Sequence, residues 1–301
     1  MRFALITADP THAKSFRISP EEGDATSFMN WVDVWGGFHF NFDRIMDQLD
    51  ILKRFDVVMM SGHPSHITKI TEIARYLKDS DAVTMFYPEG SAQLYDNSIN
   101  GFHMEYYEAW NACDIFSSAE EDKIPYYEAF IRSETIVRFV HVPMRSEMER
   151  GNFFVRREVK GRQIVVYGDN NPNHPLIAVA CAARLGLPVV AVEFGYEKTT
   201  EIHAMFPDIR MFHTTKIALY PFLRLLGSSI IHIYPTEWIG TARQQISCAV
   251  TGTPCIGSRD SHTQNRLYPK RLAVNIYDVD TMVDVAHDLI DGAIYEEIAR
   301  H

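Results

Sequence analysis

The chain has 301 residues, of which 46% are hydrophobic and 23% are charged, a composition that is typical of a globular protein and excludes a disordered or fibrous one. No apolar run approaches the roughly 18 to 20 residues of a membrane-spanning helix, so no transmembrane segment is expected. The net charge of −10 falls in residues 1–150, which hold 14 Lys and Arg against 24 Asp and Glu, while residues 151–301 hold 15 of each; an acidic first half disfavours a large anionic partner such as DNA.

The four cysteines, Cys113, Cys181, Cys248 and Cys255, form no C-x-x-C pair and lie in apolar stretches, which predicts buried, reduced thiols. The first residues, MRFALITADP, predict a strand followed by a loop, because a signal peptide has a longer apolar region and a small-residue cleavage site. Together these features favour a cytoplasmic protein.

The first half of the chain alternates strand-like and helical patterns. Short β-rich runs predict strands at residues 2–7, 56–61, 82–87, 113–118 and 135–142. Apolar residues recur at helical spacing in residues 40–55, 66–79 and 102–112. Strict alternation of strand and helix predicts a parallel sheet with helices on its faces.

After a polar stretch of mixed charge near residues 145–160, the same alternation starts again. Strands are expected at residues 162–168, 187–194, 209–212, 229–235, 253–258 and 272–277, and helices at 175–186, 214–227, 238–252 and 280–292. We therefore expect an α/β protein with two Rossmann-like domains facing each other across a cleft. The N-terminal domain would cover residues 1–150 and the C-terminal domain residues 151–301, with the last helix free to pack back on the first domain.

The stretch PTEWIGTARQQISCAVTGTPCIGS, residues 235–258, follows a predicted strand. In open parallel sheets ligands bind beyond the carboxyl ends of the strands, so the loop that begins this stretch is a candidate site. A helix starting near Gly240 would leave its first N–H groups open to an anion such as a diphosphate. Gly252 is the expected C-cap of that helix.

Two side chains of this stretch are candidates for contact with a ligand. Glu237 would lie at the rim of the site, where it would accept hydrogen bonds from sugar hydroxyls, and Gln245 would suit a ribose. The alternative is that Glu237 only complements the helix dipole and that Gln245 is a solvated polar residue.

The order of elements around this stretch resembles the C-terminal half of retaining GT-B glycosyltransferases of the family-4 type. In that family a strand ends in a Pro-Ser-like step, followed by a Glu, a Gly three residues on, and a second Glu eight residues after the first. An Ala-x-Gly-x-Pro-like step then enters the next strand. This chain matches with Pro235-Thr236, Glu237, Gly240 and residues 250–254, and departs at Gln245. The close match covers residues 229–290, and the layout covers both domains.

The resemblance implies a nucleotide-sugar donor held by the C-terminal domain, an acceptor held mainly by the N-terminal domain, and transfer with retention and without a required metal. It assigns the donor sugar to Glu237 and the nucleotide ribose to the position of Gln245. The family's Arg/Lys pair on the pyrophosphate is missing, because the corresponding loop reads YGDNNPNHP. Lys216, Arg243 or Arg259 is expected to meet the diphosphate instead.

Three further loops carry candidates. Gly36 and Gly37 resemble the family's glycine-rich loop, which lets the backbone approach the donor phosphate, although ordinary turns use Gly-Gly as well. Glu89 or His63 would orient or deprotonate an acceptor hydroxyl, the alternative being ordinary loop or cap residues. The segment from His213 resembles the family's base-binding loop, and the alternative there is an N-cap at Thr214 or Thr215 for the next helix.

The complete set of expected site residues follows from these motifs. The expected catalytic residues are Glu237, Glu89 and His63. The expected donor-binding residues are Gly36, Gly37, Gly168, Asp169, His213, Thr214, Lys216, Trp238, Gly240, Thr241, Arg243, Gln245 and Arg259. No metal is expected, since no His, Cys and Asp cluster has metal-ligand spacing and the Asp-x-Asp at residues 278–280 fits a helix N-cap at Asp278 or Asp280.

The sequence therefore predicts a glycosyltransferase with a nucleotide-diphosphate sugar as co-substrate and no other cofactor. Its acceptor is unidentified: a glycan, a lipid, a small molecule or, against the acidic first half, DNA. Two alternatives stay open, a nucleotide-sugar epimerase or hydrolase on the same fold, and a non-catalytic sugar-nucleotide-binding protein, which the missing basic pair and Gln245 favour. Because G-x-S-x-G and Walker A sequences are missing, a serine hydrolase and a P-loop NTPase are not supported.

Overall fold

The structure is a computed structural model that describes residues 1–8, 31–32, 34–62, 64–88, 104–118, 120–140, 153–167, 174–194, 196–214, 217, 219–236, 243–291, 295 and 298. Within these residues the chain forms two compact units, one from the first half and one from the second. Each unit is built on its own six-stranded sheet.

The first unit has a fully parallel sheet with the strand order β2-β1-β3-β4-β5-β6. Its strands are β1 (Phe3–Thr7), β2 (Phe38–Asn41), β3 (Val57–Gly62), β4 (Val83–Pro88), β5 (Ile115–Ser118) and β6 (Ile136–Phe139). Its described α-helices are α1 (Phe42–Ile45), α2 (Ile67–Leu77), α3 (Met104–Ala112) and α4 (Ile124–Phe130), with 3-10 turns at Met46–Arg54, Pro64–His66 and Glu121–Lys123.

Both faces of the first sheet are buried, which explains why its strands read as continuous apolar runs. Val58, Met60 and Phe86 belong to a cluster on one face that includes the described helices. Because side chains alternate along a strand, Met59 and Met85 belong to a second cluster on the other face, together with Phe3, Leu5, Tyr87, Trp31 and Val32.

The second unit has a fully parallel sheet with the strand order β12-β11-β10-β7-β8-β9. Its strands are β7 (Gly161–Tyr167), β8 (Val189–Val192), β9 (Met211–Thr214), β10 (Ser229–Tyr234), β11 (Cys255–Ser258) and β12 (Ala273–Val274). Its described α-helices are α5 (Pro175–Arg184), α6 (Tyr196–Met205), α7 (Leu219–Gly227), α8 (Arg243–Val250), α9 (His262–Leu267) and α10 (Val279–Asp291), with 3-10 turns at Arg157–Val159 and Lys270–Leu272.

Each sheet contains a point at which the strand order reverses. In the second sheet the chain builds outward from β7 to β9, then returns to the other side of β7 to form β10. In the first sheet the corresponding reversal lies between β1 and β3. Ligands of open α/β sheets bind in the crevice beside such a switch point, at the carboxyl ends of the strands.

The eleven strands predicted from the sequence are all present with shifted ends, but β2 was missed. Its last two residues, Phe40 and Asn41, were assigned to a helical run at 40–55, whereas the helix begins only at Phe42. Asn41 is the N-cap, because its side chain accepts a hydrogen bond from Asp43 N at 2.9 Å. Helices α4, α6 and α9 were also not predicted.

Two predicted helix ends are confirmed. Gly252 follows α8 with φ +64°, and its N–H donates to Ala249 O at 3.2 Å. Asp278 precedes α10 and accepts from Thr281 N at 3.0 Å, and these hydrogen bonds from Thr281 lower the pKa of Asp278. The longest helix among the described residues is α10. No helix in the described part of the chain has the length and apolar character of a membrane span.

Candidate functional site

The carboxyl edge of the second sheet at its switch point is the candidate donor site. Strands β7 and β10 are hydrogen-bonded neighbours, with His232 opposite Val165. Strand β7 ends at Tyr167, and β10 is followed by Pro235 and the fully buried Thr236. The chain therefore enters the two candidate loops from adjacent strands at the same edge of the sheet.

Several predicted site residues lie outside the part of the chain that the structure describes. These residues are Glu237, Glu89, His63, Gly168, Asp169, Lys216, Trp238, Gly240 and Thr241. Their assignment to catalysis or donor binding remains a prediction from the sequence.

His232 lies buried at the switch point and connects β7 to α8. Its Nδ1 is 2.9 Å from Val165 O, and its Nε2 is 3.1 Å from Gln244 Oε1. Burial lowers its pKa to about 4, so the ring is neutral at pH 7. A neutral ring has one N–H, and both partner atoms are oxygens that can only accept, so the ring donates to one of them at a time.

This arrangement fixes the first turn of α8 against β7, directly after the candidate loop. The sequence analysis did not single out His232. The signal was present, since a histidine interrupts the apolar run of SIIHIYP in a strand that is buried on both faces.

Gln245 corrects the expectation of a ribose contact. Its side chain is fully buried, Nε2 donates to Gln264 Oε1 at 2.8 Å, and Oε1 accepts from Ser261 Oγ at 3.0 Å. The described contacts of its amide are thus internal, and Gln245 is neither at an accessible rim nor a solvated polar residue. A glutamine at this position instead connects α8 to α9.

Gln264 completes this buried network. Its Nε2 donates to Cys255 O at 2.8 Å and to Leu272 O at 3.0 Å, which ties α9 to β11 and to the chain entering β12. A Cβ at Gly257 would lie 2.7 Å from Gln245 Nε2, so the network also requires a glycine in β11. Satisfied polar networks of this kind hold elements in one arrangement.

Two of the predicted cations are described at this edge. Arg259 is exposed directly after β11, the strand next to β10, and its backbone N–H donates to Val274 O at 2.8 Å. Within the described ranges it has no ion-pair partner. Arg243 is the first described residue of α8. The exposed position of Arg259 is compatible with the predicted contact to a diphosphate, and the contact of Arg243 stays a prediction from the sequence.

His213 and Thr214 are the last two residues of β9 and do not lie in a loop as predicted. Strand β9 is an edge strand, separated from β7 by β8. The His213 ring is hydrogen-bonded to Phe194 O, just after β8. Because α7 begins at Leu219, Thr214 is not its N-cap, which corrects the alternative reading at this residue. The expected contact with a base stays a prediction.

Two strained backbone positions lie in the connections that follow β7 and β8. Glu193, directly after β8, has φ +58°, and His174, directly before α5, has φ +39°. They are the two non-glycine residues with positive φ among the described residues. Such conformations cost roughly 1–3 kcal/mol and cluster at ligand sites. No sequence signal predicts them, because glutamate and histidine ordinarily avoid this region.

Gly36 and Gly37 correct a second expectation. They precede β2, not a helix, and Phe38 pairs with Ala4 near the amino end of β1. Gly36 has φ +67°, and a Cβ at Gly37 would lie 2.6 Å from Phe3 O. The pair therefore allows a turn and a close approach to β1. It lies at the opposite sheet edge from the one where a donor phosphate was expected.

The carboxyl edge of the first sheet carries a row of uncharged polar side chains on one face. Thr7 pairs with Asn41, and Ser61 pairs with Tyr87 on the next strand. The β1–β3 register places Thr7 beside Ser61, and the β4–β5 register places Ser117 beside Tyr87. The row spans five strands and crosses the switch point between β1 and β3.

The described residues hold no group of three His, Cys, Asp or Glu that would bind a metal ion. No family model and no curated protein matches the sequence.

The fold is similar to that of solved structures. An alpha-glucosyltransferase in complex with UDP and a 13-mer DNA containing a HMU base aligns with a TM-score of 0.66 and 9% identity, over 100% of this chain and 93% of that one. An alpha,alpha-trehalose 6-phosphate synthase from Burkholderia multivorans aligns with a TM-score of 0.65 and 11% identity, over 99% and 94%.

The GtfA/B complex aligns with a TM-score of 0.58 and 12% identity over 86% of this chain. The alignment covers 55% of the chain in that complex, so this chain spans about half of its length. At these identities the likeness establishes the fold and not the activity. With two parallel Rossmann-like sheets and alternating helices, the chain has the GT-B fold of these glycosyltransferases.

Proposed function

We propose that the protein is a glycosyltransferase that moves a sugar from a nucleotide-diphosphate sugar to an acceptor. One observation carries this proposal: on a GT-B fold, residues 235–258 leave the second sheet at its switch point, where ligands of such sheets bind. The same residues carry the motif resemblance to family-4-type enzymes. We assign the donor to the second unit and the acceptor to the first.

In the proposed reaction, Glu237 contacts the donor sugar while Arg259, Arg243 and Lys216 offset the charge that develops on the leaving diphosphate. Positive groups aimed at a developing charge are a major source of catalysis. We propose that configuration is retained and that no metal is required, as the resemblance implies. His232 is a positioning residue, because it holds Gln244 and α8 beside β7.

Uridine is the first base to test, because the similar alpha-glucosyltransferase is a complex with UDP. UDP, GDP, ADP and UDP-glucose should be compared in thermal unfolding. A ligand at 100 times its dissociation constant adds about 2.7 kcal/mol of stability, which is readily measured. A protein that binds none of a full panel of nucleoside diphosphates and their sugars would overturn the proposal.

The decisive variant is Glu237→Ala, with Glu158→Ala as its matched control. Glu158 is an exposed glutamate of the same unit that precedes β7, at the amino edge of the sheet. Glu237→Ala should abolish release of nucleoside diphosphate and leave nucleotide affinity and thermal stability nearly unchanged, while Glu158→Ala keeps full turnover. Full activity of Glu237→Ala would contradict the assignment.

One observation favours a second candidate, a non-catalytic sugar-nucleotide-binding protein. The motif's second acid is replaced by Gln245, whose amide is hydrogen-bonded inside the protein. Tight nucleotide binding without turnover across a broad acceptor panel would support this candidate. Interconversion or hydrolysis of the donor without an acceptor would instead indicate an epimerase or hydrolase.

A further inference from the structure

Ser61 differs from the other members of the polar row because its hydroxyl has no hydrogen-bond partner among the residues that the structure describes. It is 1% exposed and lies one residue before the end of β3. Its neighbours are satisfied: Thr7 Oγ1 is 2.8 Å from the His39 ring, and Ser117 Oγ donates to Phe86 O at 2.9 Å. A buried hydroxyl without a partner is costly, so each such group calls for an explanation, such as a bound water, an ion or a functional role.

Trp31 provides a second unpartnered group on the same face of the sheet. Its side chain is 1% exposed, and its Nε1 has no hydrogen-bond partner within the described part of the chain. The ring is held edge-on by Trp35 at 4.9 Å and by Tyr87 at 5.7 Å. Because Tyr87 is also the ladder partner of Ser61, both unpartnered groups lie against the same tyrosine near the carboxyl ends of β3 and β4.

The chemistry of these groups selects a kind of ligand. An indole N–H only donates, and a serine hydroxyl both donates and accepts, so a hydroxyl or carbonyl oxygen satisfies both. Neither group is charged, nor are Thr7, Asn41 and Ser117. Among the residues that the structure describes, the nearest charges along the edge are the exposed Arg138 of β6, which pairs with Ser117, and the buried Glu120 after β5.

The charge of the first half points in the same direction. Residues 1–150 carry a net charge of −10, which repels a phosphorylated sugar or a nucleic acid. An uncharged ligand with several hydroxyl groups is free of this repulsion and offers partners for both unpaired atoms.

We propose that Ser61 and Trp31 bind a hydroxyl group of an uncharged, polyhydroxylated acceptor, a sugar or a polyol. The role of this ligand as an acceptor rests on the proposed glycosyltransfer. Its binding at this edge does not, because binding of a neutral sugar is measurable without turnover. It distinguishes the chain's acceptor class from the DNA of the similar alpha-glucosyltransferase complex.

Two variants remove the unpaired atoms. Ser61→Ala removes the hydroxyl alone, and Trp31→Phe removes the N–H together with part of the ring. Each should raise the KM for a neutral acceptor about tenfold, as expected for the loss of one hydrogen bond. Ser61→Ala should leave thermal stability unchanged or higher, because its hydroxyl has no partner among the described residues. Trp31→Phe should lower it, because the smaller ring leaves a cavity. Nucleotide affinity should not change.

Ser117→Ala is the matched control, since Ser117 is in the same row but its hydroxyl is hydrogen-bonded to Phe86 O. This variant should lower thermal stability and leave the acceptor KM unchanged. The opposite pattern, in which Ser61→Ala lowers stability and leaves the KM unchanged, would show that Ser61 is a structural residue and overturn the proposal.

The probes are D-glucose, trehalose and myo-inositol, compared with glucose 6-phosphate and a 13-mer DNA duplex, with UDP-glucose as donor. The neutral probes should be used and the two anionic ones should not. The acceptor class would be overturned if the protein preferred an anionic probe and both Ser61→Ala and Trp31→Phe were as active as the native protein. The proposed function would remain intact in that case.

Binding of the neutral probes without donor is followed by isothermal titration calorimetry and needs no turnover. A heat signal that is present in the native protein, weakened in Ser61→Ala and kept in Ser117→Ala would support the site even if nucleotide binding failed. The same signal in all three proteins, or in none, would count against it.

Discussion

The side-chain amide of Gln245 donates a hydrogen bond to Oε1 of Gln264 at 2.8 Å, and both side chains are fully buried. The orientation of Gln264 is fixed, because its Nε2 donates to the carbonyls of Cys255 and Leu272. Its oxygen must therefore face residue 245. That position requires a hydrogen-bond donor, and a glutamate carboxylate does not provide one at pH 7.

Restoring the second acid of the motif should therefore destabilise the protein. Gln245→Glu places a buried carboxylate against Gln264 Oε1, and we expect the free energy of unfolding to fall by about 2–4 kcal/mol at pH 7, measured by urea denaturation. Gln48→Glu, at an exposed position of the first unit, should change it by less than about 0.5 kcal/mol. Native stability of Gln245→Glu would contradict the described role of the network.

His232 should make the second unit less stable in acid. Its pKa is lowered from 6.5 to about 4, so the unfolded chain binds more protons between these values. Its contribution is fully present above pH 6.5 and decreases as the pH falls towards 4, by about 3 kcal/mol in all. His232→Asn retains a donor for Val165 O without titrating, and should weaken the dependence of unfolding on pH between 4.5 and 7. An unchanged slope in this variant would refute the assignment.

Lys160 should have an effect at alkaline pH. Its Nζ is buried and donates to Gly227 O at 2.7 Å and Thr253 Oγ1 at 2.9 Å, and burial lowers its pKa from 10.5 to about 8. Between pH 8 and 10.5 the unfolded chain binds more protons, so this group's contribution to stability rises with pH, by about 3 kcal/mol in all.

The check is to compare the native protein with Lys160→Met at pH 7 and pH 9.5. Subtracting the free energy of unfolding of the variant from that of the native protein cancels the contributions of other groups that titrate in this range. The native protein should gain stability relative to the variant as the pH rises, and a difference that is independent of pH would exclude a lowered pKa.

The two glycines before β2 should affect stability and not donor binding. Gly37→Ala brings a Cβ to 2.6 Å from Phe3 O and should cost about 2 kcal/mol or more. Gly36→Ala meets no atom within 4 Å and should cost about 1 kcal/mol for its φ of +67°. Calorimetry should find unchanged UDP affinity in Gly36→Ala, which tests the corrected role even if Gly37→Ala does not fold. A loss of UDP binding in Gly36→Ala would restore the predicted phosphate contact.

The sequence was sufficient for the fold because parallel strands buried on both faces read as apolar runs separated by amphipathic helices. It failed at β2, where FHFN continues into the helical spacing of the next segment and the boundary depends on the cap at Asn41. The hairpin-free connections of a parallel sheet provide no turn motif that would have separated them.

The site was less predictable, because burial is decided by tertiary packing. A sequence match to the motif places Gln245 at a ligand, yet the side chain is turned inward by partners 16 and 19 residues further along the chain. Nothing in the run MMSGHPSH, residues 59–66, singles out Ser61, because only the packing of the folded chain reveals that its hydroxyl is unpaired. The strain at Glu193 likewise has no local cause in the sequence.

Because two backbone carbonyls set the orientation of Gln264, substitutions at positions 245 and 264 should show epistasis. A glutamate at position 245 becomes acceptable only when residue 264 presents a donor towards it. Variant libraries that change one position at a time would classify both residues as intolerant, and the pairs that fold would appear only when both positions are varied together. In protein engineering, residues 245 and 264 therefore have to be chosen together.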